Sequence, residues 1–310
     1  MTGVGAETDK DEPAPSDVRS YRVLSVDGGG MRGIYTAAFL DRLVTQFART
    51  RGAECLDLGK GFDLITGTST GAIVASALAV GLPMAEIVNL YRCHGRQIFS
   101  HRIKGTLSAI WRMFVGGRYV RRGDAVLHAA LTEVLKETTM LDVFNKRGIS
   151  LSIPAVLMSS HRSWVFKKTP ASGVRDDHYK LVDVCMASSA APIFRSLAAV
   201  KDPNGDHGIM QVFADGGLWA NNPIMVGLVD ALQCAPKDAP IEIFSLGTCS
   251  RPEGELIQPW KVHRSILGWK MGRSRGSQHH SPGIRVRQHG PLSRQPAHRT
   301  RTSGPEVALS

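Results

Sequence analysis

Three times along this 310-residue chain a run of strand-like residues stops at a cluster of glycines. Tyr21 to Val26 runs into Asp27-Gly28-Gly29-Gly30-Met31-Arg32-Gly33, Phe62 to Thr66 into Gly67-Thr68-Ser69-Thr70-Gly71, and Met210 to Ala214 into Asp215-Gly216-Gly217. A helical pattern follows the first two: Leu40, Leu43, Val44 and Phe47 share a face between residues 34 and 47, and an apolar run from Gly71 to Leu82 ends against Pro83. Repeated strand-turn-helix units predict an α/β domain that carries its functional loops at the strand ends.

Further periods fill in the domain. Residues 84–94 and 123–137 read as helices, 149–160 and 163–168 as two strands paired in a hairpin, and Ile241 to Leu246 as a late strand ending at Gly247-Thr248. At 43% hydrophobic residues the chain can bury a large core, which places one α/β domain over residues 20–270. Residues 1–19 carry Gly, Pro and charge without an apolar period and read as a disordered leader without the apolar centre of a signal peptide. Residues 271–310 read as a basic tail of low order.

The net charge of +11 suggests nucleic acid until its distribution is examined. From Lys261 to Ser310 there are ten Lys or Arg and one acid, Glu306, which leaves +2 for the rest. Specific nucleic-acid binding is therefore not expected of the folded part. The five cysteines are scattered and form no C-x-x-C pair, which suits a reducing cytoplasm and indicates neither a disulfide framework nor a zinc site. The Gly71 to Leu82 run is too short to cross a bilayer.

The glycine clusters suggest a chemistry. Ser69, flanked by Gly67 and Gly71 in a G-x-S-x-G turn, can expose its hydroxyl at the start of a helix, where the dipole and unpaired amides favour a developing anion. The plain alternative is a helix-capping serine in a glycine turn. Gly28, Gly29 and Gly30 offer successive unobstructed amides for an oxyanion, with Arg32 adding positive charge. Gly28, Gly30 and Gly33 also satisfy the dinucleotide-binding fingerprint, although Asp27 would set a carboxylate beside a bound pyrophosphate. Asp27 itself reads as a turn-stabilising or Arg-pairing carboxylate. Asp215, followed by Gly216, can act as a general base on the serine if it is partly desolvated and held within hydrogen-bond distance, the plain alternative being an Asp-Gly turn.

Taken together, D-G-G-G-x-R-G, G-x-S-x-G and D-G-G, with Ala187-Ser188-Ser189-Ala190-Ala191-Pro192 and Asn221-Asn222-Pro223, resemble the patatin-like phospholipases over roughly residues 20–250. The resemblance implies a three-layer α/β/α sandwich with a mostly parallel central sheet. It implies Ser69 as nucleophile, Asp215 as base in a Ser-Asp dyad, Gly28 to Gly30 as oxyanion hole, and Arg32, Gly67, Gly71 and Gly216 as supporting residues. The expected substrate is a membrane phospholipid or another acyl-ester lipid, hydrolysed without metal or cofactor by a cytoplasmic protein, at times peripheral to the membrane. Some bacterial members of that family are antiphage effectors switched on by a cyclic nucleotide, and the run SVDGGGMRGIYTAAFL is similar to that branch. The family usually continues with more helices where this chain has its basic tail.

A rival arrangement, the Ser-Asp-His triad of an α/β-hydrolase, needs a histidine after the acid; the candidates are His263 and the tail histidines His279, His280, His289 and His298. His207, in a turn-rich segment, reads as a solvated loop residue. Residues 92–122 hold eight Lys or Arg and no acid, interleaved with Trp111, Phe114 and Tyr119. That mixture suits a lid or a peripheral membrane contact, a regulatory nucleotide pocket, or an ordinary helical hairpin with a basic solvent face.

Overall fold

The computed structural model describes residues 18–98, 117–192, 194–205 and 209–249. The leader up to residue 17, the centre of the basic stretch with Trp111 and Phe114, His207, and the chain from residue 250 with His263 and the tail lie outside the described residues.

The first strand, β1 (Tyr21–Val26), buries every residue except Arg22, as a strand covered on both faces must. The chain passes through a short 3-10 turn at Gly30–Arg32 into α1 (Gly33–Arg51). After β2 (Leu64–Gly67) comes α2 (Thr70–Val80), buried on all sides except at Val80. A helix apolar around its whole circumference belongs inside a domain. Two longer amphipathic helices, α3 (Met84–Ile98) and α4 (Gly117–Leu135), cover it, followed by α5 (Met140–Arg147), which Thr139 and Asp142 open with a reciprocal capping box. The predicted hairpin is β3 (Ser150–Leu157) with β4 (Arg162–Lys168), antiparallel over its length. The chain ends its described part with α6 (Leu181–Ser188), β5 (Ala198–Lys201), β6 (Met210–Asp215), the single turn α7 (Gly217–Ala220), α8 (Ile224–Cys234) and β7 (Ile241–Leu246).

The seven strands form one sheet in the order β5-β6-β3-β2-β1-β7, with β4 on the remaining edge of β3. The stretch β3-β2-β1-β7 is the expected parallel core, while β4, β6 and β5 pair antiparallel, so the sheet as a whole is mixed. Side-chain parity makes the layers. Leu24, Val26 and Ile65 point to the side packed by α2, α1 and α3, whereas Tyr21, Val23 and Leu64 point to the side where Ala231 of α8 packs. Gly227 lets α8 lie close, since an added Cβ would meet Thr66 and Val23 at 3.0 Å. Helices on both faces make this the three-layer α/β/α sandwich.

The sheet also sets the meeting point of two loops. Because β4 occupies one edge of β3 from Leu151 to Leu157, the partners on the other edge must share it: β2 takes Ser150 to Ser152, and β6, running the opposite way, takes Ala155 to Leu157. The C-terminal ends of β2 and β6 therefore point toward each other. Pro154, which has no amide hydrogen to give, falls in the gap between the two pairings, where a central strand can tolerate it.

Candidate active site

Ser69 sits on the turn from β2 to α2 with φ 56° and ψ −120°, a conformation that costs a non-glycine residue roughly 1–3 kcal/mol. Hydrogen bonds hold it there. The Ser69 amide donates to Ser188 Oγ at 2.9 Å, and the Ser188 hydroxyl donates in turn to the Pro154 carbonyl at 2.7 Å. The turn also needs glycine at position 71, where a Cβ would collide with the carbonyls of Val26 and Asp27.

Asp215 arrives from the end of β6. Its amide donates to the Ala190 carbonyl at 3.0 Å and that of Gly216 to the Ser188 carbonyl at 3.1 Å, so residues 188–190 clamp the aspartate turn from one side. Gly216 lies directly on the Pro154 carbonyl, with no room for a side chain. The two signatures then join: Ser69 Oγ donates to Asp215 Oδ2 at 2.8 Å, while Asp215 Oδ1 accepts the Gly217 amide at 2.6 Å. Both residues are nearly enclosed, Ser69 at 9% and Asp215 at 5% exposure. Burial pushes the Asp215 carboxyl above its ordinary value of 3.8, opposed by the Gly217 amide, the Ser69 hydroxyl and the charge of Arg195.

The first glycine cluster closes the site from the end of β1, and its three glycines differ. The Gly28 amide is already engaged, donating to the Asn221 carbonyl at 2.9 Å, while the Asn221 side-chain amide reaches back to the Gly28 carbonyl at 3.4 Å. Gly28 thus tethers the loop and does not line the cavity over Ser69. The Gly29 amide donates to Thr70 Oγ1 at 3.1 Å. Gly30, at φ 57°, donates its amide to no other described residue, and the same holds for the Thr70 amide at the start of α2. Gly29, Gly30, Arg32 and Thr70 all line the cavity. Asp27 lies outside that lining and forms no ion pair among the described residues; burial raises its pKa and Asn222 opposes the shift by a hydrogen bond.

The cavity measures about 560 Å³ and is largely apolar, with Ile73, Ile98, Val120, Leu127, Phe194 and Leu218 forming much of its wall. Among the described residues no histidine lines it, and no group of three His, Cys, Asp or Glu gathers as a metal would require. The space beside the first two glycines is also filled, Gly28 backing onto Asn221 and Gly29 onto Thr248. A buried carboxylate hydrogen-bonded to a serine on a strained turn, with open amides beside an apolar cavity, is an arrangement chemically suited to acyl transfer from a greasy ester.

Four contributors were not assigned in advance: Ser188, Asn221, Thr70 and the buried Arg195. Ser188 and Asn221 lie in sequence blocks that had drawn notice by resemblance alone, and nothing in their local pattern shows that they support the other two loops.

A family model described as "Patatin-like phospholipase" matches residues 24–228. The chain is similar to the cGAMP-activated phospholipase of Pseudomonas aeruginosa, 35% identical over 74% of this chain and 63% of that protein. The protein of the same name from Escherichia coli is 32% identical over 75% of this chain and 63% of its own length. The patatin-like protein 4 of Arabidopsis thaliana is 31% identical over 71% of this chain and 54% of its length. The chain therefore spans a little over half to about two thirds of the relatives it matches.

Proposed function

The chain belongs to the patatin-like phospholipase family, and from that premise we propose that it is a lipid acyl hydrolase working through a Ser69-Asp215 dyad. The observation that carries this reading is the 2.8 Å hydrogen bond from Ser69 Oγ to Asp215 Oδ2 in the wall of a largely apolar cavity. In the proposed cycle an acyl ester enters the cavity with its carbonyl carbon at Ser69 Oγ. Asp215 Oδ2 takes the hydroxyl proton as Oγ attacks, and the negative oxygen of the tetrahedral intermediate is met by the open amides of Gly30 and Thr70, assisted by the α2 dipole. On collapse Asp215 returns the proton to the departing alkoxide, leaving an acyl-serine. Water then attacks with Asp215 again as base, releasing fatty acid and restoring the serine.

A carboxylate can do this without a relay because burial raises its basicity, while the Gly217 amide on Oδ1 keeps Oδ2 aimed at Ser69. The triad reading has no histidine near Ser69 among the described residues, and its candidates, His263 and the tail histidines, lie outside them. The names of the relatives favour a second layer, control by a cyclic nucleotide, in which the dyad degrades membrane lipid only when the nucleotide is bound. The basic stretch at residues 92–122 remains our candidate for the lid or membrane contact, though most of it lies outside the described residues.

The test is fatty-acid release from phosphatidylglycerol vesicles and from a short-chain ester, comparing the intact protein with Ser69→Ala and Asp215→Asn, with and without cyclic nucleotides. Hydrolysis lost in both variants supports the dyad. Hydrolysis that survives Ser69→Ala overturns it.

A further inference from the structure

Two arginines line the cavity over Ser69, and they are unlike. Arg32 stands exposed at the rim. Arg195 is built into the wall, its side chain only 6% exposed. One end of its guanidinium is held: Nη2 lies 2.8 Å from Asp124 Oδ1 on α4, with the Met186 sulfur at 3.9 Å. Asp124 Oδ2 also accepts the Ser196 amide at 3.1 Å, so one carboxylate fixes both the side chain and the backbone of this segment. The other end is unpaired. Arg195 Nη1 is buried and donates to no described residue.

A buried guanidinium N–H without an acceptor is costly, on the order of 1–3 kcal/mol, and a native fold retains one where something else supplies the acceptor. Burial lowers the Arg195 pKa, yet a guanidinium starts so far above neutrality that it keeps its charge at neutral pH. Asp215, which also lines the cavity, feels that charge, so Arg195 and the reacting serine border one chamber, and Arg195 also lines a second cavity with Asp124, His128 and Asp183.

Building on the acyl-hydrolase reading above, we infer that Arg195 is a specificity-determining residue for substrates carrying a phosphodiester, its open Nη1 donating to a phosphate oxygen of the lipid whose ester carbonyl rests at Ser69. The Asp124 pair pre-orients the fork, and the largely apolar wall receives the acyl chain. A neutral lipid would leave Nη1 buried and unpaired, so the same group that attracts a phospholipid selects against diacylglycerol.

The experiment separates this inference from the catalytic reading by measuring binding first. Full-length Ser69→Ala protein is titrated calorimetrically with dihexanoylphosphatidylglycerol and with dihexanoylglycerol, alone and in the background of Arg195→Gln/Asp124→Asn. The double change removes both charges together, so no buried carboxylate is left unpaired. The phospholipid Kd is expected to weaken roughly 10- to 100-fold, as for loss of one hydrogen bond from a charged donor, while the neutral lipid changes less than about threefold. Arg195→Lys, which keeps the charge and loses the fork, should fall between. Equal losses on both lipids, or none on either, would overturn the assignment. Inorganic phosphate separates the two sources of the anion. Competition by millimolar phosphate that disappears in the double variant would replace the lipid headgroup by a free anion and overturn the proposal as stated.

Turnover by the unmutated protein then tests the other reading on its own. Hydrolysis of both lipids without a binding contrast removes Arg195 and leaves the dyad, whereas a binding contrast without hydrolysis of any ester leaves Arg195 and removes the dyad.

Discussion

Ser69 Oγ and Asp215 Oδ2 stand 2.8 Å apart although 146 residues separate them in the chain. The contact follows from strand order: β2 and β6 approach from opposite directions along the same edge of β3, with Pro154 between their ends. Each strand delivers its following loop to that gap. Backbone pairing thus brings the two side chains to one place.

Removing either partner should abolish ester hydrolysis while leaving the fold intact. Ser69→Ala deletes the nucleophile, and Asp215→Asn keeps the shape but cannot take the proton. Both are expected to lower kcat by at least about 10³-fold, as seen when a member of a nucleophile-base unit is lost. The two changes combined should cost little more than either alone. Additive losses in a double-mutant cycle would mean that the residues do not act as a unit.

The pH dependence follows from the direction of the Asp215 shift. Burial raises its pKa above 3.8, and as a base it must be ionised, so the acidic limb of kcat/KM should lie above the usual carboxylate range. The stability effect has the opposite sense. A carboxyl whose folded pKa is raised contributes stability that is fully present below the unfolded pKa and is lost as pH rises through the folded one. At neutral pH the ionised Asp215 therefore burdens the fold, and Asp215→Asn should melt no lower than the unmutated protein. Calorimetry at pH 7 showing a clearly lower Tm for the asparagine variant would contradict this.

Ser188 should act on catalysis without touching substrate. Its hydroxyl joins the Ser69 amide to the Pro154 carbonyl, and it does not line the cavity. Ser188→Ala leaves the strained Ser69 turn without that support and strands a buried N–H, a loss of roughly 1–3 kcal/mol. We expect kcat to fall about tenfold or more, as small misplacements at a reacting centre do, with KM little changed. Labelling of Ser69 by a fluorophosphonate should slow in parallel. A rise in KM with unchanged labelling would place Ser188 in substrate binding instead.

What could be read from the sequence divides along physical lines. β1 and β7 have the predicted bounds because continuous apolar runs stop at glycine turns, and the buried α2 was legible from its length and uniform apolarity. α5, α6, β5 and α8 were not foreseen. The four residues of β5 are too few to show a period, and the eight of α6 span barely two turns. Among the glycines, sequence could identify unobstructed amides at Gly28 to Gly30, yet Gly28 gives its amide to Asn221, a partner 193 residues away. Arg195 was illegible for a similar reason: its significance depends on Asp124, which lies on a separate helix.

Asp230 provides a test of the opposite face. On α8 it accepts the Ser152 hydroxyl at 2.6 Å and pairs with Lys167 Nζ at 2.9 Å, tying the helix to β3 and β4. Its side chain is 3% exposed while that of Lys167 is 33% exposed, so the lysine can regain water when the pair is broken. Asp230→Ala should therefore destabilise near or below the low end of the roughly 3–5 kcal/mol typical of a broken buried pair. Urea unfolding measures this, and kcat at low temperature should stay within about twofold. Lost activity in folded protein would show that α8 also shapes the site.

Gly71→Ala sets two effects of opposite sign against each other. Inside a helix, alanine is favoured over glycine by about 1 kcal/mol. The added Cβ, however, would be driven into the carbonyls of Val26 and Asp27, which are backbone atoms held by sheet pairing and by the Asp27 amide bond to the Leu246 carbonyl. Overpacking of this kind costs roughly 1–3 kcal/mol, and rigid backbone places it toward the upper part of that range. The steric effect should win, leaving the variant less stable by about 1–2 kcal/mol. Because α2 can move only by carrying Ser69 away from Asp215, activity should fall by more than stability does. A variant that unfolds at higher urea and retains its kcat would show that α2 does not fix the nucleophile against β1.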